Sequence, residues 1–115
     1  MKQYLDQQQT AKLIELGFEK PKNERWVLDV VNESTPSIPN IVKRQDYSFG
    51  ELLSFLPENV AKEDEMPSTL NISLMNGEWC VQYADFLGTD FEFCNTELID
   101  ALYDMVVKLK EKGVI

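Results

Sequence analysis

The sequence predicts an α+β fold in two layers: an antiparallel sheet of three to five strands packed on a C-terminal helix, with two short additional helices. Three observations lead there. From Thr69 to Tyr83, "TLNISLMNGEWCVQY" alternates apolar and polar residues on either side of an Asn-Gly dipeptide, the strongest short signal for a hairpin. From Leu98 to Leu109 apolar residues recur at helical spacing. Two further apolar stretches, "QQQTAKLIEL" and "FGELLSF", each follow a residue suited to capping a helix. A chain of 115 residues is expected to form one domain over 1–115. At that length folding buries roughly two-thirds of the surface of the unfolded chain, enough for a core without metal or disulfide.

The elements follow in order. Asp6 is placed to cap the first helix, and Gly17 to end it in the left-handed conformation with Phe18 folding back onto the last turn. Leu13, Ile14 and Leu16 give that helix its apolar face. "RWVLDVV", Arg25 to Val31, is rich in β-branched and aromatic residues and reads as a strand. "NESTPSIPN" reads as a loop because Pro36 and Pro39 do not fit a central strand. "IVKRQ", Ile41 to Gln45, is expected as a short edge strand returning beside the first. Ser48 and Glu51 form a capping box, with Tyr47 and Leu52 as the hydrophobic staple, and Pro57 helps end the short second helix. "ENVAKEDEMPS", Glu58 to Ser68, reads as a polar, acidic, mobile link.

A two-residue Asn76-Gly77 turn fixes the register of the hairpin. Leu74 then faces Trp79, Ile72 faces Val81 and Leu70 faces Tyr83, all on one side. A three-residue "FLG" loop at Phe86 to Gly88 adds a further strand, pairing Asp85 with Thr89, Tyr83 with Phe91, Val81 with Phe93 and Cys80 with Cys94. The apolar stripe Leu70, Ile72, Leu74, Trp79, Val81, Tyr83, Phe91 and Phe93 is expected to be core, covered by the last helix. That helix is capped by Asn95 or Thr96, carries Leu98, Ile99, Leu102, Met105, Val106 and Leu109 inward, and ends at Gly113. Its acids lie early and its lysines late, which complements the helix dipole.

The opposite side of the meander presents Asn71, Ser73, Cys80, Gln82, Glu92 and Cys94. Either a helix or solvent covers it, and the sequence leaves both open. These six residues are the candidate interaction face. Two thiols on adjacent strands raise redox or metal chemistry, but zinc sites normally show CxxC pairs or histidines, and the chain has neither. A nucleophilic cysteine needs a base or positive surroundings, and the nearby charge is Glu92. The expectation is inert thiols, no metal and no cofactor. Asp100 and Asp104 share a helix face and could do acid–base work, but Lys108 lies one turn on and a solvated pair is the simpler reading. Glu63, Asp64 and Glu65 lack the alternating ligands and glycine of a calcium loop. No phosphate-binding loop or nucleophile elbow is present, so no catalytic residue is assigned.

Charge narrows the partners. Twenty acids stand against 11 bases, a formal net charge of -9, which disfavours nucleic acid and anionic membrane surfaces and leaves basic partners open. The start "MKQYLDQQQT" has no apolar signal core and no run approaches the ~20 apolar residues of a membrane span. A cytoplasmic protein with Cys80 and Cys94 reduced is expected.

The segments "QQTAKLIELGF", "FGELLSFLP", "WCVQY" and "ELIDALYDMVVKLKEKGVI" together resemble a group of small acidic α+β proteins of gut Bacteroidales and their phages and mobile elements. The resemblance spans nearly the whole chain. Its most specific parts are Leu56-Pro57, Trp79-x-Val81-x-Tyr83 and Leu98 to Met105. That group has no established activity, so the resemblance assigns no functional residue. It implies a cytosolic accessory protein encoded on a mobile element. The expectation is therefore a non-enzymatic protein that binds another protein. The alternatives are an acidic mimic of DNA that inhibits a nuclease or DNA-binding protein, and a small enzyme using Asp and Glu or a metal. An edge-to-edge homodimer is compatible with each.

Overall fold

The computed structural model describes residues 1–22, 24–29, 40–62, 65–85 and 87–115. The chain runs α1 (Gln7–Glu15), β1 (Glu24–Asp29), β2 (Asn40–Gln45), α2 (Phe49–Phe55), β3 (Asn59–Lys62), β4 (Glu65–Met75), β5 (Glu78–Asp85), β6 (Gly88–Asn95) and α3 (Leu98–Glu111). Strands β3 to β6 form a four-stranded antiparallel sheet in sequence order, and β1 and β2 form a separate two-stranded antiparallel hairpin. Helix α3 lies against β5 and β6, and α2 against α3. Val30, Val31 and the proline-containing stretch 32–39 lie outside the described residues, as do Glu63, Asp64 and Phe86.

Local signals set the helix starts. The Asp6 side chain accepts the Gln9 N–H, and the Gln9 side chain accepts the Asp6 N–H, closing a capping box. Ser48 and Glu51 close a second one at α2. Tyr47 and Leu52, the expected staple, are both fully buried in the common core. Gly17 is left-handed (φ 101°), and the Phe18 N–H reaches back to the Leu13 carbonyl. On α1 the inward residues are Leu13 and Thr10, whereas Ile14 is 37% exposed. The N-terminal strand-like segment is tied in by a bridge between Tyr4 and Ser48.

The central turn has positive φ at both Asn76 (52°) and Gly77 (80°), as a type I′ turn requires. The register is the one the alternation dictates: Leu74 opposite Trp79, Ile72 opposite Val81, Leu70 opposite Tyr83. Val81 and Tyr83 are buried together with Leu98, Ile99, Leu102, Met105, Val106 and Leu109 of α3. Leu74 departs from the stripe. It sits at the hairpin tip, beyond the reach of α3, and is 57% exposed.

Three expectations are corrected. The stretch 58–68 is not a mobile link throughout: it supplies β3 and the start of β4, with Val60 and Ser68 buried. Ladder pairing uses backbone groups, so a polar sequence can join a sheet edge once a neighbour offers its own unpaired N–H and C=O groups. Pro67 is accommodated there because the β3–β4 register breaks between Val60 and Lys62, beside it. The next turn is tighter than "FLG". Asp85 pairs with Gly88 and Ala84 with Thr89, and a bulge between Tyr83 and Ala84 restores Tyr83 opposite Phe91. The Asp85 carboxylate accepts the Leu87 and Gly88 N–H groups, which satisfies the donors of the tight turn. Finally, α3 begins one residue later than Thr96, and two later than Asn95, would set it. Glu97 occupies the cap position without a side-chain cap, because its carboxylate accepts the Lys2 backbone N–H, while Asn95 accepts the Glu97 N–H.

Candidate interaction face

The alternation that sends Val81 and Tyr83 inward sends their neighbours to the other side of the sheet. The six residues singled out from sequence come together there in two transverse rows. One row is Asn71, Gln82 and Glu92; the other is Ser73, Cys80 and Cys94. Asn71, Glu92 and Cys94 are exposed, Ser73 and Gln82 half-buried and Cys80 buried. Helix α3 packs on the other side of the sheet, and Asn71, Glu92 and Cys94 meet solvent on this one. Thr69, Met75, Glu78 and Thr89 extend its exposed rim.

The cysteines overturn one expectation. Cys80 and Cys94 are joined in a disulfide across β5 and β6, their Cα atoms 4.1 Å apart, rather than standing as two reduced thiols. The strand register puts the two side chains directly opposite each other on one face, and that proximity is what permits the bond. Glu92 Oε1 lies 3.4 Å from Cys94 Sγ, two residues back along the same strand and therefore on the same face. Cys80, Glu92 and Cys94 thus bring three potential metal-binding atoms within 4.8 Å of one another. No CxxC spacing announces this cluster. Only the hairpin register, derived in the sequence from Asn76-Gly77, could have found it.

Charge on strands β4 to β6 is one-sided. From Glu65 to Asn95 the sequence carries Glu65, Glu78, Asp85, Asp90 and Glu92 and no lysine or arginine. Among the residues whose side chains are described, the exposed charges on the open face are Glu78 and Glu92.

Of the other candidates, Asp100 has a structural engagement. Asp100 is not a solvated partner of Asp104. Its carboxylate accepts Lys2 Nζ at 2.7 Å and Gln9 Nε2 at 2.9 Å, fastening the N-terminal segment and α1 to α3. Burial pushes Asp100 up, but the Gln9 and Lys2 hydrogen bonds and the Lys2 charge outweigh it and hold the carboxyl below its ordinary range. Asp104 is raised, by burial first and then by the Asp100 charge. It lines a hollow of about 220 Å³ with Phe93, Val107, Lys108 and Glu111, and a second hollow of about 100 Å³ lies by Glu19, Glu51 and Phe55. Both are below the roughly 300–1,000 Å³ of small-molecule sites.

One cluster had no signal in the sequence. Asp46, 2% exposed, accepts Thr10 Oγ1 at 2.9 Å and Arg25 Nη2 at 3.1 Å, and the Arg25 guanidinium sits 4.2 Å from the centre of the Tyr4 ring. It clasps the start of β1 to α1 and to the segment before α2. The partners are 36 and 21 residues from Asp46, so no local spacing reveals them.

No described helix is long and apolar enough to cross a membrane. The chain matches no protein-family model, no curated protein and no solved structure.

Proposed function

We propose that the protein is a non-enzymatic, cytoplasmic accessory protein that binds another protein through the open sheet face. The observation that carries this reading is the pairing of exposure with charge. A three-strand surface of Asn71, Ser73, Gln82 and Glu92, rimmed by Glu78, faces solvent within a stretch that has five carboxylates and no cation. Such a surface complements a partner rich in lysine and arginine, with the side-chain amides supplying hydrogen bonds in register.

The test is site-specific photocrosslinking in a lysate of the source organism, from a photoreactive residue at Gln82 and, as control, at Lys12 on α1, which is half-buried like Gln82. One defined adduct from position 82, absent from position 12 and lost in Glu78→Lys/Glu92→Lys, is expected. Equal adducts from both positions, or an adduct indifferent to charge reversal, would refute the assignment.

The same run of carboxylates supports a second reading, a mimic of DNA that occupies a nuclease or DNA-binding protein. The two readings part on competition: duplex DNA displaces the partner of a mimic and leaves the partner of an ordinary adaptor bound. An Asp/Glu enzyme draws less support, because Asp100 is engaged with Lys2 and Gln9 and the hollow beside Asp104 is small.

A further inference from the structure

We infer that the Cys80–Cys94 pair, once reduced, forms with Glu92 a binding site for a thiophilic divalent cation of the zinc class, and that the disulfide is the closed state of that site. The inference concerns the isolated protein, so it stands or falls independently of any protein partner.

The donor set carries the argument. Two thiolates and one carboxylate suit zinc, which favours sulfur and accepts carboxylate oxygen, and do not suit calcium or magnesium, which take oxygen ligands. The three ligand atoms already lie within 4.8 Å of one another. A tetrahedral zinc with bonds of about 2.3 Å to sulfur holds two sulfurs about 3.8 Å apart. The Cβ atoms of a disulfide pair lie about 3.5–4.5 Å apart, with each sulfur free to swing about its own Cα–Cβ bond. Rotation about χ1 at Cys80 and Cys94 is therefore sufficient to open the pair to that spacing without moving either strand. Glu92 is held on the same side by the two-residue strand repeat, with Oε1 3.4 Å from Cys94 Sγ. Three protein donors leave a fourth position, which faces the solvent side of the sheet. The pattern differs from CxxC sites because β5 and β6, rather than one loop, hold the ligands, with the two cysteines 14 residues apart.

The opening step is thiol–disulfide exchange with a dithiol reductant. Its thiolate attacks the exposed Cys94 sulfur, the sulfur–sulfur bond breaks, and Cys80 leaves as a thiolate that takes up a proton. The second thiol of the reductant then displaces Cys94, forming the reductant's own cyclic disulfide. Two electrons pass from the reductant to the protein, which now holds two thiols. Binding of the cation releases two protons to solvent. In the reducing cytoplasm proposed above, the reduced, cation-binding state is the one expected to prevail.

The experiment is titration of cobalt(II), the spectroscopic stand-in for zinc, into the whole protein before and after reduction with a phosphine and anaerobic desalting. Reduced protein is expected to bind one equivalent with thiolate-to-cobalt charge-transfer absorption, and zinc is expected to displace it. Untreated protein is expected to show no such absorption. Glu92→Gln should keep the charge-transfer band and weaken cobalt binding by about tenfold or more, as loss of even an outer-sphere partner does. Cys94→Ser should lose much of the band. Absence of charge-transfer absorption in the reduced wild-type protein would overturn the site, and this comparison needs no variant to fold. Unchanged affinity in Glu92→Gln would overturn the three-donor assignment.

Discussion

The two faces of the four-stranded sheet are made by the same strands and share almost no chemistry. On one side Val81 and Tyr83 are fully buried against Leu102, Met105 and Leu109 of α3. On the other, one residue along each strand, Gln82, Glu92 and Cys94 meet water or stand half-covered. A slip of one residue would exchange the two sets. The pair Asn76-Gly77 therefore does more than close a turn: it decides which residues stabilise the molecule and which are available to a ligand. The covered face is committed to packing. The open face contributes little to the core, and that leaves its side chains free to vary with function.

The largest expected effect breaks the comparison most directly. Leu102→Ala removes a fully buried side chain from the layer between α3 and the sheet and is expected to cost about 3 kcal/mol. Gln82→Ala, on the open face of the same sheet, is expected to change stability by no more than about 0.5 kcal/mol. Urea unfolding of both variants checks this. Comparable losses would mean that the open face is packed after all, and would remove the basis for assigning it to recognition.

A smaller effect probes the boundary of the covered face. Tyr83 is buried, yet its hydroxyl donates to the Pro57 carbonyl at 2.6 Å, joining β5 to the end of α2. Tyr83→Phe keeps the ring and leaves that carbonyl without its donor, at an expected cost of about 1 kcal/mol. Burial pushes the Tyr83 phenol up to about 12. Because the folded value lies above that of the unfolded chain, the contribution is complete below the ordinary tyrosine value near ~10 and declines as pH rises from there through the folded value. Wild-type protein should therefore lose stability over that alkaline range, and Tyr83→Phe should lose less. Denaturant unfolding on the alkaline side measures both.

What could be read in advance follows from how far apart the interacting groups are. The capping boxes at Asp6 and Ser48, the Asn76-Gly77 turn and the inward row of α3 depend on residues within a few positions of one another, and they stand as the sequence predicts. Register then carried local information across strands, which is why all six residues of the open face were placed together. The strand β3 was not legible because its neighbour in the ladder, rather than its own side chains, makes it a strand. The Arg25–Asp46–Thr10 clasp was not legible because it joins three separate segments. The disulfide sits between these cases. Register places Cys80 opposite Cys94, but the oxidation state does not follow from register, and the pair is a disulfide rather than the two thiols expected of a cytoplasmic chain.

The smallest effects concern two carboxylates one helical turn apart on the covered side, at its rim. Asp100 is held below its ordinary range, burial being outweighed by Gln9 and Lys2, whereas Asp104 is raised by burial and by Asp100 itself. Their contributions to stability must then run in opposite directions with pH. A depressed carboxyl stabilises the fold above its unfolded pKa, and that contribution disappears as pH falls through the folded value. A raised carboxyl penalises the fold at neutral pH, and the penalty is relieved as pH falls through its folded value. At pH 7 Asp100→Asn is expected to destabilise by about 1 kcal/mol, because it removes the Lys2 ion pair and weakens the Gln9 contact. Asp104→Asn is expected to be neutral or stabilising by a few tenths of a kcal/mol, since it removes a repulsion. Thermal unfolding from pH 7 down to pH 3 separates them: the deficit of Asp100→Asn should close toward acid, and the gain of Asp104→Asn should vanish there. If both variants are destabilised in parallel at every pH, the two acids act as one unit rather than as an anchor and a strained neighbour. The rim of the covered face would then tolerate charge as evenly as the open one.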